Sequence, residues 1–65
     1  MTHAETNIPA ITWEEIERLS NTDQAFAYSV RHKDVFNMRL VLRAYGYAHT
    51  SSHAERAIRL APHEV

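Results

Sequence analysis

Apolar residues along this chain recur every three to four positions and never alternate cleanly over four or more residues, which predicts helices rather than strands. The first helix opens at Thr12. Thr12-Trp13-Glu14-Glu15 is a capping box, with the Thr hydroxyl accepting from the Glu15 N–H and the Glu15 carboxylate reaching back. Ile11 before the cap and Ile16 four residues into the helix fit a hydrophobic staple. Trp13, Ile16 and Leu19 form the apolar stripe, and Ser20-Asn21 marks the end.

The second helix covers about 23–33, capped by Asn21, Thr22 or Asp23, with Asn21 and Gln24 at capping-box spacing. Phe26, Ala27 and Val30 share its inner face. Ala25, Tyr28 and His32 form a second, weaker stripe. No Gly or Pro stops this helix before the next apolar run. Phase does: at about 100° per residue, a continuous helix would turn Asn37 inward and Leu42 outward. A break at Lys33-Asp34, with Asp34 as a new N-cap, restores the register.

The third helix, about 35–45, is the most apolar segment. Only Asn37 and the Arg39/Arg43 stripe interrupt it, so it is expected to sit centrally with neighbours around it. Gly46 follows as the residue past the C-cap, where a positive φ costs glycine nothing. Thr50, Ser51 and Ser52 compete to cap the fourth helix, about 51–61, and Ser52-His53-Ala54-Glu55 is a further capping box. Ala54, Ala57, Ile58, Leu60 and Ala61 make its apolar face, Glu55 and Arg59 a favourable i,i+4 pair, and Pro62 stops it. The predicted fold is all-α, a small bundle of three to four short helices. The predicted organisation is a flexible segment 1–11 pinned by Ile8 and Ile11, one helical domain 12–61 and a tail 62–65.

Composition sharpens this picture. The chain has 65 residues, 45% hydrophobic and 23% charged, with one Gly, two Pro and no Cys. That is enough apolar content to fold and too few turn residues for an all-β domain. Without cysteine, neither a disulfide framework nor a thiolate zinc site staples the domain. A domain this small is only marginally stable alone, which makes a homodimer or a partner-bound state an expectation. No apolar run reaches membrane-spanning length and no leader pattern precedes the helices, so a cytoplasmic location away from membranes is expected.

The net charge of −1 hides an asymmetry. Residues 1–30 carry Glu5, Glu14, Glu15, Glu17 and Asp23 against Arg18. Residues 31–65 carry Arg31, Lys33, Arg39, Arg43, Arg56 and Arg59 against Asp34, Glu55 and Glu64. Catalytic constellations are thin. Ser51 and Ser52 near His49 and His53 already serve as cap candidates, and the first-helix acids diverge, so no enzyme is expected. His49 and His53 have metal-like i,i+4 spacing but no third ligand, and neither a metal nor another cofactor is expected.

Two binding functions remain. The favoured one is a protein-interaction module, an inhibitor, adaptor or accessory subunit docking on a larger protein. Its surface would be Tyr28, His32, Arg39, Arg43 and Tyr47, where exposed aromatics lie beside arginines. The alternative is a helix–turn–helix DNA-binding regulator. Its recognition helix would be the fourth, with Thr50, Ser51, Ser52, His53, Arg56 and Arg59 reaching phosphates and base edges. The balanced net charge weighs against tight DNA binding, which rests on neutralised phosphates.

Overall fold

The computed structural model describes residues 8–62, and they form four α-helices without strands. These are α1 (Trp13–Thr22), α2 (Gln24–Arg31), α3 (Val35–Ala44) and α4 (Ser51–Leu60). Residues 1–7 of the N-terminal segment and 63–65 of the tail lie outside the described residues. The all-α bundle expected from periodicity is the observed fold. No helix among the described residues is long and apolar enough to cross a membrane.

Each helix starts on an oxygen-bearing cap, which satisfies one of the amide groups that a helix N-terminus leaves free. Thr12 Oγ1 accepts from Glu15 N at 3.2 Å, Asp23 Oδ1 from Phe26 N at 2.9 Å and Asp34 Oδ1 from Asn37 N at 3.1 Å. For α4 the cap is Thr50, whose Oγ1 accepts from His53 N at 3.3 Å. This corrects the Ser52 box: Ser52 lies inside the helix and is exposed. Thr50 prevails because the residue three positions on answers it, His53 Nδ1 lying 2.6 Å from the same Oγ1. Asn37 Nδ2 similarly returns a 2.6 Å bond to Asp34. In α1 the Glu15 carboxylate turns away from its cap and pairs with Arg18 one turn on. That helix also runs one residue past Ser20-Asn21, to Thr22, and Asp23 alone separates it from α2.

The breaks after α2 and α3 share one design. Asp34 N donates to Ser29 O at 2.9 Å and Lys33 N to Val30 O at 3.2 Å. Tyr47 N donates to Leu42 O at 2.9 Å and Gly46 N to Arg43 O at 3.1 Å. Both pairs are Schellman motifs, which need one residue at positive φ. After α3 that residue is Gly46, at φ 83°. After α2 it is Lys33, at φ 52°. The second helix therefore ends at Arg31, two residues earlier than expected, and the break falls where phase demanded it.

The core joins Ile11, Ile16, Leu19, Phe26, Met38, Val41, Leu42, Ala54, Ala57 and Ala61. Helix α3 packs between α2 and α4, while α1 packs on α2 and α4 from the other side. The fully buried residues of α4 are the alanines Ala54 and Ala57, with Ile58 and Leu60 packed half-buried against the core. Ile11 is buried and Pro9 O accepts from Ala48 N at 2.9 Å, so the segment before α1 is tied to the turn after α3; Ile8 stays half exposed. Two expectations fail on exposure. Trp13, expected in the α1 stripe, is 46% exposed at the first helical position. Helix α3 is not enclosed among the described residues: Phe36 is 69% and Leu40 49% exposed, because none of the other three helices lies over that side of it.

Candidate docking face

Phe36, Leu40 and Ala44 follow one another at i, i+4 and i+8, so they form a line along α3. All three are exposed. The antiparallel neighbour α2 adds Ala25 and Tyr28, the latter 50% exposed, and Tyr45 (42% exposed) closes the end where α3 stops. Between the two helices lies a concavity of about 500 Å³. Its walls are Ala25 and Tyr28 on one side and Leu40, Val41 and Ala44 on the other, with Asp23 and Tyr45 at one end and Asn37 towards the other. Beyond the Leu40 ridge a smaller groove of about 200 Å³ is lined by Phe36, Arg39, Arg43 and His49. Leu40 therefore stands between an apolar recess and a basic strip.

Polar groups fix this geometry. Asp23 N donates to Leu19 O at 2.8 Å, closing α1, while the Asp23 carboxylate caps α2 and accepts the Tyr45 hydroxyl. The Tyr45 hydrogen bond, with the Phe26 N–H, holds the Asp23 carboxyl below the usual carboxylate range. The same bond pushes the Tyr45 hydroxyl up. Inside, Ser29 is fully buried and donates to Phe26 O at 2.8 Å, with Met38 Sδ 3.8 Å away, so α2 and α3 meet through a satisfied hydroxyl. Arg39 Nε donates to His49 O at 2.9 Å, anchoring the turn before α4 and spreading the guanidinium over the surface.

Of the residues expected to bind a protein, Tyr28, His32, Arg39 and Arg43 are exposed on α2, its C-cap and α3. The Tyr28 and His32 rings stack one turn apart, centroids 4.2 Å apart and planes tilted by 40°. Tyr47 is half-buried against the core, and burial, then Glu15, pushes its hydroxyl up; the neighbouring Tyr45 is the ring that reaches the face. Sequence reasoning placed Phe36, Leu40 and Ala44 inside, and so missed the apolar centre of the surface. The pattern that reveals it is the i, i+4, i+8 line itself, once α3 has fewer neighbours than its composition suggests.

The residues expected to read DNA are arranged differently. Arg56, Arg59, Ser51 and Ser52 are exposed along α4, but Thr50 and His53 bond to each other. The connection between α3 and α4 spans residues 45–50, longer than the three- to four-residue turn of a helix–turn–helix. His49 and His53 do not converge with a third ligand: no group of three or more His, Asp or Glu that could hold a metal occurs among the described residues.

Against family models, curated proteins and solved structures, the chain has no match.

Proposed function

We propose that this chain is a non-enzymatic protein-interaction module that docks through its α2–α3 face. The observation carrying this reading is the contiguous exposed line of Phe36, Leu40, Tyr28 and Tyr45 beside a recess and two arginines. Leaving four large apolar side chains in water forgoes the burial free energy each would contribute, roughly 25 cal/mol per Å². Contiguous patches of this kind on a small chain mark interaction sites. Aromatic and arginine side chains are also the types that carry binding energy at protein interfaces.

The reading as an inhibitor, adaptor or accessory subunit follows from the same face. It offers a concave apolar surface and charge, and among the described residues no arrangement of nucleophile, base and oxyanion donors accompanies it. The test is capture from lysate by the tagged chain, with and without nuclease, in parallel with Leu40→Asp. Capture that survives nuclease and is lost in Leu40→Asp supports docking through this face. Capture that nuclease abolishes, with duplex DNA binding that falls steeply as salt rises, transfers the function to α4 and its Arg56 and Arg59.

A further inference from the structure

The face differs from an ordinary apolar patch in its charge. From Asp23 to Tyr45 the chain carries four cations, Arg31, Lys33, Arg39 and Arg43, against two carboxylates, Asp23 and Asp34. Both carboxylates are committed. Asp23 holds the Phe26 N–H and the Tyr45 hydroxyl, and Asp34 holds the N–H and the side-chain amide of Asn37. Arg39 and Arg43, one turn apart on α3, form no ion pair among the described residues and line the groove on one side of Leu40. Among the described residues the surface therefore offers apolar contact and, beside it, positive charge with no ion-pair partner.

Resting on the docking reading above, we propose that the occupant is an acidic amphipathic helix of a partner protein. Its apolar side chains would enter the recess between Tyr28 and Leu40, and its carboxylates would pair with Arg39 and Arg43. Shape and charge select this occupant together. The Phe36–Ala44 line extends about 12 Å at 1.5 Å per residue, the length over which a helix of two to three turns presents i, i+3, i+4 and i+7 anchors. The guanidinium groups present planar pairs of donors, which suit carboxylates in bidentate geometry. A second copy of this chain docked face to face would bring two more arginines and no free carboxylate. A flat anionic bilayer would leave the recess between Tyr28 and Leu40 unfilled.

The experiment uses the full chain and labelled helical peptides of roughly 16 residues, long enough for four turns. One peptide carries Leu at i, i+3, i+4 and i+7 with flanking Glu. A second replaces every Glu by Lys, and a third replaces every Leu by Ser. Anisotropy is expected to show saturable binding of the Glu–Leu peptide and at least about tenfold weaker binding of the other two, as expected for losing about 1.4 kcal/mol. Arg39→Glu/Arg43→Glu is expected to reverse the Glu-over-Lys preference, and Leu40→Asp to remove binding, with circular dichroism confirming the helices. If the double Glu variant fails to fold, Arg39→Gln/Arg43→Gln is expected to erase the preference without reversing it.

Equal binding of the Glu and Lys peptides overturns the proposal, as does equal binding of the Leu and Ser peptides. Binding of phosphatidylserine vesicles that Leu40→Asp abolishes, without peptide binding, reassigns the face to a membrane. A dimer in sedimentation that Leu40→Asp dissolves reassigns it to a second copy. Failure of all peptides while Leu40-dependent, nuclease-resistant capture persists sinks the acidic helix and leaves the docking function standing.

Discussion

The Tyr45 hydroxyl donates to the Asp23 carboxylate, joining the end of α3 to the junction between α1 and α2. Asp23 also closes α1 through its N–H and opens α2 through its side chain, so one residue positions three helices. Its carboxyl titrates below the usual range, chiefly because of Tyr45. A carboxylate with a depressed folded-state pKa contributes stability above its unfolded value and loses it as pH falls through the folded value. Tyr45, with a raised value, contributes below its unfolded value and loses that contribution as pH rises through the folded one. Tyr45→Phe is therefore expected to weaken both limbs of the stability–pH profile. Asp23→Ala should cost more at neutral pH, because it also removes a cap usually worth about 1 kcal/mol. Urea melts across the acid and alkaline limbs measure both, and equal losses for the two variants at neutral pH would refute the ordering.

The two positive-φ positions give opposite expectations. Lys33 occupies a left-handed conformation that costs a residue with a Cβ about 1 kcal/mol, whereas Gly46 adopts its conformation freely. Lys33→Gly should stabilise the fold by up to about 1 kcal/mol, less what the freer unfolded chain takes back. Gly46→Ala should destabilise by about 1 kcal/mol. A Cβ at Gly46 would meet nothing within 4 Å, so the loss would be conformational alone. Thermal melts moving in the same direction for both variants would contradict the shared Schellman geometry.

The helices were legible because their starts are chemical. The Thr12 cap follows from its capping-box spacing, and the break at Lys33-Asp34, with Asp34 as the new cap, follows from phase. The α4 cap was ambiguous because Thr50, Ser51 and Ser52 are all competent oxygens, and the choice rests on the His53 ring reaching back to Thr50. The face was only half legible. Tyr28, His32, Arg39 and Arg43 stand out by type, but Phe36 and Leu40 look like core residues in any window of sequence. Their exposure reflects the number of elements: α1 is spent covering α2 and α4, and among the described residues no further element covers the outer side of α3. Buried Ser29 was illegible because its partners, Phe26 O and Met38 Sδ, are set by helix packing.

Thr50→Ala should therefore lower stability by about 1 kcal/mol, and Ser52→Ala, at an exposed position inside α4, should change it by less than about 0.5 kcal/mol. The reverse order in chemical denaturation would return the cap to Ser52.

Two serines separate satisfied from unsatisfied burial. Among the described residues Ser20 Oγ is a buried side-chain oxygen with no hydrogen-bond partner, while Ser29 Oγ donates at 2.8 Å. Ser20→Ala removes an unpaired polar group and raises helix propensity, so it should stabilise by about 0.5–1.5 kcal/mol. Ser29→Ala removes a made bond and should cost a similar amount. If Ser20→Ala proves destabilising in equilibrium melts, that hydroxyl has a partner in solution.

Leu40 and Leu42, two positions apart on α3, face opposite environments. Leu42 is fully buried and its carbonyl also closes the Schellman turn, whereas Leu40 is 49% exposed on the proposed docking face. Leu42→Ala should remove a packed side chain and leave a cavity, costing roughly 2–5 kcal/mol, enough to unfold much of a small domain. Leu40→Ala loses only partial burial and gains helix propensity, so it should stay within about 1 kcal/mol of the parent. The two variants separate fold from function, because Leu42→Ala should lose far-UV helix signal and binding together, while Leu40→Ala should keep the helix signal and weaken only binding. Comparable destabilisation by both would mean that α3 is covered on every side in solution, and the face argued from Phe36, Leu40 and Tyr28 would then be a buried one.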